Sequence, residues 1–288
     1  MKTNMLRVLV FLTLSGAAEL KASEDTDAAF DAPEQAHWHR QSETWFVSNL
    51  GGGISLERDG YGWITRLDKS GRVVDSRWLS GLDAPTGMDS RGGRLYVADR
   101  NRLLVISIAE ASIESTVLLP EARFPNDVAV DGNGAAYVSD FTGHRIFRVA
   151  DGKAEVFLDD PELRYPNGLL VDGDELLIAT WGEMLDPSSF AVSQPGTLLK
   201  ADLSTGSLSA YADGRPTGSM DGIVKVGEYI YATDWLAGAV LRIAADGAFT
   251  RVLSGLENPA DLGYRPDTQQ LMIPEMATNR VLMLHISP

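Results

Sequence analysis

The chain is 288 residues long with 44% apolar and 23% charged residues, a composition that supports a packed core and excludes general disorder. A formal net charge of −15 repels phosphate backbones and sets nucleic acid aside as a partner. With no cysteine, disulfides, thiolate nucleophiles and Cys-ligated zinc are excluded.

Taken in chain order, residues 1–22 read as a signal peptide. Lys2 and Arg7 make a positive start, residues 9–18 are an apolar run too short to span a bilayer as a helix, and small residues permit cleavage after Ala22 or Ala17. The competing reading is a buried N-terminal helix or strand. The polar stretch from Ser23 fits a mature N-terminus better, so a periplasmic or secreted protein is expected. No lipobox cysteine is present and no membrane anchor is expected. Residues 23–32 are a short N-terminal segment, placed so that 25–32 can serve as a closing strand.

From residue 33 to 288 the sequence repeats. The unit begins with Pro, a polar residue and a small residue, then alternates, then ends an apolar run on Asp or Asn. It reads APEQAHWHRQSETWFVSN, APTGMDSRGGRLYVAD, FPNDVAVDGNGAAYVSD, YPNGLLVDGDELLIATW, SMDGIVKVGEYIYATDW and NPADLGYRPDTQQLMIPE. Third strands follow as GWITRL, NRLLVISI, HRIFRV, GTLLKADL, GAVLRI and NRVLMLHI, and five units add a fourth short run. Runs of four to eight residues rich in β-branched and aromatic side chains, split by Gly, Asp and Asn turns, are strands. Six units of four antiparallel strands predict an all-β fold, a single six-bladed β-propeller. The equivalent positions Glu34, Thr86, Asn126, Asn167, Asp221 and Ala260 lie 52, 40, 41, 54 and 39 residues apart. The two long intervals place insertions at 49–62 and 181–196, on the face that carries these positions. The sixth unit lacks its own fourth strand, so the N-terminal segment is expected to close the ring and remove an open sheet edge.

First strands of a propeller line its tunnel, so those six positions converge. Glu34, Asn126, Asn167 and Asp221 supply oxygen only, with a formal charge of −2. That set suits one Ca²⁺ better than zinc or copper, and better than the stricter Mg²⁺. Asn and Asp beside Gly are also ordinary turn residues; the shared register is what argues for a metal. Second strands end at Asn49, Asp99, Asp140, Thr180, Asp234 and Glu275. These either shape a pocket or bond the adjacent turn backbone, the latter favoured for Asp99 and Asp140. Trp181, Trp235 and Phe141 follow and could form apolar walls for a small ligand or pack at the rim. Of four histidines, His37 should face away from the tunnel and only His144 falls near the mouth. Arg100, Arg102 and Arg145 form no clear clamp. No nucleophile elbow, phosphate-binding loop or basic patch is present.

These repeats and the tunnel set resemble the senescence-marker-protein/gluconolactonase (regucalcin-like) family, related to paraoxonases and diisopropyl-fluorophosphatase, over residues 33–288. The resemblance implies that Glu34, Asn167 in YPNG and Asp221 in MDG are metal ligands with Asn126 in FPND, which also touches substrate or water. It further implies a catalytic role for Asp221 as general base and for Asn126. Two departures are visible: EQAHW keeps only Glu34 and Trp38 of the first motif, and Thr86 stands where paraoxonase-type enzymes carry a catalytic His. The expected function is a calcium-dependent hydrolase of a lactone or related small ester, Asp221 or a water starting the attack. The alternative is a non-catalytic exported propeller that binds a ligand or partner protein around a structural calcium. Neither substrate nor oligomeric state is legible.

Overall fold

The computed structural model describes residues 20–22, 29–53, 60–186 and 189–286. Six four-stranded antiparallel sheets stand in a ring, the first five running from the axis outward in chain order. Blade one is Pro33–His39, Thr44–Asn49, Gly62–Leu67 and Val73–Leu82. Blade two is Pro85–Arg91, Arg94–Asp99, Arg102–Ser107 and Ser112–Leu118. Blade three is Pro125–Val130, Ala136–Asp140, Arg145–Ala150 and Lys153–Asp159. Blade four is Pro166–Asp172, Glu175–Thr180, Leu198–Asp202 and Leu208–Ala210. Blade five is Met220–Val226, Tyr229–Asp234, Ala239–Ile243 and Phe249–Ser254. Blade six is Gly263–Arg265, Gln270–Glu275 and Arg280–His285, with Leu20–Ala22 as its outer strand.

The architecture is the one the repeat implies, strand for strand in the first five blades. Blade six is closed from the N-terminal side, but by Leu20–Ala22, which pairs antiparallel with residues 282–284. This lies upstream of the 25–32 segment expected for the task and inside the stretch read as a signal peptide. Residues 1–19 and 23–28 lie outside the described residues.

Alternation along the strands packs apolar faces between neighbouring blades. The second and third strands supply most of this core, as in Phe46, Ile64, Leu95, Val97 and Leu104 between blades one and two, all fully buried. The first strands share a further feature. In blades one to five the pairing with the second strand slips by one residue immediately after the leading Pro or Met. A bulge at this point leaves two residues per blade outside the ladder and re-aims their side chains. Hydroxyls on the second strand catch the freed backbone: Ser48 Oγ accepts from Gln35 N, Ser139 Oγ from Asp127 N and Thr233 Oγ1 from Gly222 N, at 2.8–3.0 Å.

Candidate metal centre and its pocket

The first bulged residue of each blade points to the axis. Glu34, Asn126, Asn167 and Asp221 occupy that position in blades one, three, four and five, and all four line one cavity at the mouth. They are 2–6% exposed. One oxygen of each, Glu34 Oε2, Asn126 Oδ1, Asn167 Oδ1 and Asp221 Oδ1, is buried without a hydrogen-bond partner. Buried oxygens are ordinarily paired, and an unpaired one costs about 1–3 kcal/mol. Four unpaired oxygens facing one cavity are what a hard cation would satisfy, so the residues fit calcium on their own chemistry. Among the described residues no three His, Asp or Glu gather as a metal cluster; half of this donor set is amide. Thr86 and Ala260 fill the remaining two positions, and Thr86 Oγ1 is spent on the Pro125 carbonyl at 3.2 Å.

The electrostatics point the same way. Burial, then the neighbouring Asp127 carboxylate, pushes Asp221 up to about 8. Burial, then the charges of Asp221 and Asp127, raises Glu34 well above the usual carboxylate range. Without a counter-charge Asp221 therefore holds its proton near neutrality, and Glu34 is shifted in the same direction.

A second layer lies directly below, built from the second bulged residues. Gln35 Nε2 donates to Asp261 Oδ2 at 2.8 Å and to Asp127 Oδ1 at 3.4 Å, and its Oε1 accepts from Met88 N. Asp127 Oδ2 accepts from Leu169 N at 2.6 Å. Burial raises Asp127 to about 7 and raises Asp261 well above the ordinary range, the Asp127 charge adding to the latter. The matching residues in blades two, four and five are glycines. A Cβ on Gly222 would run into the Asp261 carboxylate, so the blade interface there admits no side chain. Sequence reasoning passed over this layer, although Gln, Gly, Asp, Gly, Gly, Asp at the next repeat position was available as its signal.

The second-strand ring proves to be a set of blade latches. Asp99 Oδ1 accepts from Asp83 N and Ala84 N, Asp140 Oδ1 from Arg123 N and Phe124 N, and Glu275 Oε1 from Glu257 N, at 2.7–3.0 Å. Asn49 Oδ1 takes Asp31 N in the same way. Arg102, Arg145 and Arg280 pair with Asp99, Asp140 and Glu275 at 2.6–3.3 Å, so these arginines are neutralised where they stand. The turn-bonding role expected of Asp99 and Asp140 is the one observed.

Around the four oxygens the wall is apolar: Leu50, Phe124, Phe141, Trp181, Phe190, Trp235 and Met276. Five of these follow the latch ring by register or begin the insertions, so Trp181, Trp235 and Phe141 stand where expected. Phe190 comes from the second insertion, which folds as a hairpin, Gly182–Asp186 with Ala191–Pro195. Leu50 and Phe190 put both insertions on the mouth face. Phe190 sits in a left-handed turn, φ 58°, and no repeat signal could have found it. Two histidines lie elsewhere. His144 Nδ1 is 3.3 Å from both Leu163 O and Tyr165 N, outside the cavity lining, and His37 Nε2 is 2.7 Å from Ser90 Oγ.

No protein-family model matches the chain, and no curated protein matches it by sequence. Solved structures do match. A gluconolactonase from Xanthomonas campestris superposes with a TM-score of 0.70 at 18% identity, covering 94% of this chain and 90% of its own. A second structure described as a gluconolactonase gives 0.67 at 16%, covering 93% and 92%. Virginiamycin B lyase from Staphylococcus aureus, bound to quinupristin, gives 0.60 at 15%, covering 94% and 100%. At these identities the likeness is one of fold, and this chain has the six-bladed β-propeller fold of the gluconolactonase-like structures it resembles.

Proposed function

We infer that the protein is a divalent-cation-dependent hydrolase, calcium suiting it best, that opens a lactone or related small ester. The observation that carries this reading is the convergence of four unpartnered buried oxygens on one apolar-walled cavity. The gluconolactonase neighbours support a lactonase-type reaction. Glu34, Asn126, Asn167 and Asp221 would hold the cation. When bound, it would supply a Lewis acid that polarises the substrate carbonyl.

The chain's own residues account for the rest. Asp221, buried and hydrogen-bonded to Asn167, would take a proton from the attacking water and return it to the ring oxygen as the acyl–oxygen bond breaks. With the cation in place its pKa must lie below the value of about 8 set by burial and Asp127. Asn126 carries an amide next to its unpaired oxygen, which is placed to position a water or substrate oxygen. The wall around them excludes solvent and strengthens each of these interactions. We also infer export to the periplasm or beyond, with a small molecule as substrate.

Calorimetric titration with calcium, followed by hydrolysis of a lactone panel with and without chelator, tests the reading. Binding with calcium-dependent turnover is the expected result. Binding and stabilisation without turnover of any lactone would leave the calcium as a structural pin. Absence of divalent-cation binding would overturn both.

A further inference from the structure

We propose that the substrate presents hydrocarbon, not hydroxyls, to the protein, and that Phe190 on the mouth hairpin sets that preference. The proposal rests on the hydrolase reading above and names the substrate class of that same site.

Three rings make the wall opposite the four oxygens. Trp181, Phe190 and Trp235 have centroids 5.4–5.9 Å apart, each tilted on the next. Trp181 Nε1 donates to Phe190 O at 2.9 Å, so this indole N–H is spent inside the wall. Phe141 meets Trp181 edge-on at 5.5 Å and continues the apolar surface to Phe124. Among the described residues, the charged and amide side chains that line the cavity are the four axial ones. Arg102, Arg145 and Arg280 are paired with the latch acids. Arg100 shares the register of the wall residues on blade two but does not line the cavity.

A polyhydroxylated lactone in this cavity would bury several hydroxyls against carbon. Each one left unpaired weakens binding by about fivefold or more. A hydrocarbon chain in the same place gains about three- to fourfold for each methylene it buries. The same end of the propeller exposes two large apolar side chains, Leu185 at 68% on the hairpin and Leu236 at 41% beside Trp235. The cavity itself is about 30 Å³, room for a water or two. A lactone ring therefore enters only by displacing a wall side chain. Phe190 is the wall residue carried by the hairpin that stands outside the blade sheets, so its displacement would leave the blade ladders intact.

The test is steady-state hydrolysis by the full calcium-loaded chain of γ-butyrolactone, γ-hexalactone, γ-octalactone and D-glucono-1,5-lactone. Rising kcat/KM with alkyl length, carried mainly by KM, with gluconolactone at least tenfold below γ-octalactone, is the expected result. Phe190→Ala should flatten the alkyl-length trend while Phe190→Leu preserves it. Gluconolactone turned over better than γ-octalactone, or a trend unchanged in Phe190→Ala, would overturn the proposal. If no lactone is turned over, the hydrolase reading falls, and the pocket is read alone by titrating tryptophan fluorescence with the same compounds. Binding that tightens with alkyl length then supports the apolar preference, and binding that is flat or tightest for gluconolactone overturns it.

Discussion

Asp221 meets two opposing demands. A metal ligand must be ionised, yet burial and the Asp127 charge push this acid up to about 8, and Asp127 itself lies near 7. Glu34 and Asp261 move the same way. Below about pH 4 these acids are protonated in folded and unfolded chains alike. Between pH 4 and 8 the folded chain keeps protons that the unfolded chain releases, so cation-free stability falls as pH rises. A melting temperature measured in chelator should therefore drop by roughly several degrees or more from pH 5 to pH 8, and saturating calcium should remove most of that drop. Calcium affinity should rise over the same interval, with proton release visible as a buffer-dependent binding enthalpy. Glu34→Gln and Asp221→Asn each remove one of two negative ligands and should weaken calcium on the order of tenfold or more in a calorimetric titration. Asp99→Asn, whose side chain serves a turn, should leave calcium affinity near wild type. The four axial positions were legible because they share one repeat register. Asp127 and Asp261 were not read, because a buried acid one residue further on looks like another turn former until its neighbours are known.

Blades are held by two small devices that alternate with the apolar core. One is the bulge that turns Glu34, Asn126, Asn167 and Asp221 toward the axis, with Ser48, Ser139 and Thr233 hydroxyls under three of the five. The other is the latch, an acid or amide at the end of the second strand that ties down the backbone entering its own blade. Strand positions follow from period-two alternation and Gly or Asp turns, which is why third and fourth strands fall within a residue or two of their sequence runs, except that Val73–Leu82 extends four residues beyond RVVDSRW. A bulge has no such signature; it is visible only as two residues that break the pairing. Asp99 offers the sharpest test at this scale. It is fully buried, accepts two backbone N–H groups and faces Arg102 at 2.6 Å. Asp99→Ala strands the two backbone donors and leaves Arg102 with Asp83 alone, at 3.1 Å, and should destabilise by about 3 kcal/mol in denaturant unfolding. Ser139→Ala frees one N–H and should cost about 1 kcal/mol, with a measurable weakening of calcium because Asn126 rides on the same bulge.

A propeller is as stable as its closure, since each blade buries its apolar face only against the next. Five blades here are continuous in sequence, and the sixth borrows Leu20–Ala22, registered as Leu20 opposite Leu284, Lys21 opposite Met283 and Ala22 opposite Leu282. That segment is the end of residues 1–22, the stretch read as a signal peptide, so three residues carry two readings. The leader pattern hid the strand because three residues are too few to show alternation. Without the strand, Arg280–His285 becomes an open outer edge, with backbone groups returned to water and a template for unwanted pairing. If residues 1–22 are an export leader, the position of its cleavage would decide whether the ring stays closed. Processing after Ala17 keeps the strand, and processing after Ala22 removes it. Chains beginning at Ala18 and at Ser23 should both fold, the shorter one melting several degrees lower, since loss of two or three ladder hydrogen bonds at about 1 kcal/mol each lowers Tm by roughly 2–4 °C per kcal/mol in a domain of this size. Intact-mass measurement of exported protein should accordingly show a start at Ala18. A start at Ser23 with an unchanged melting temperature would mean that blade six is closed without this strand.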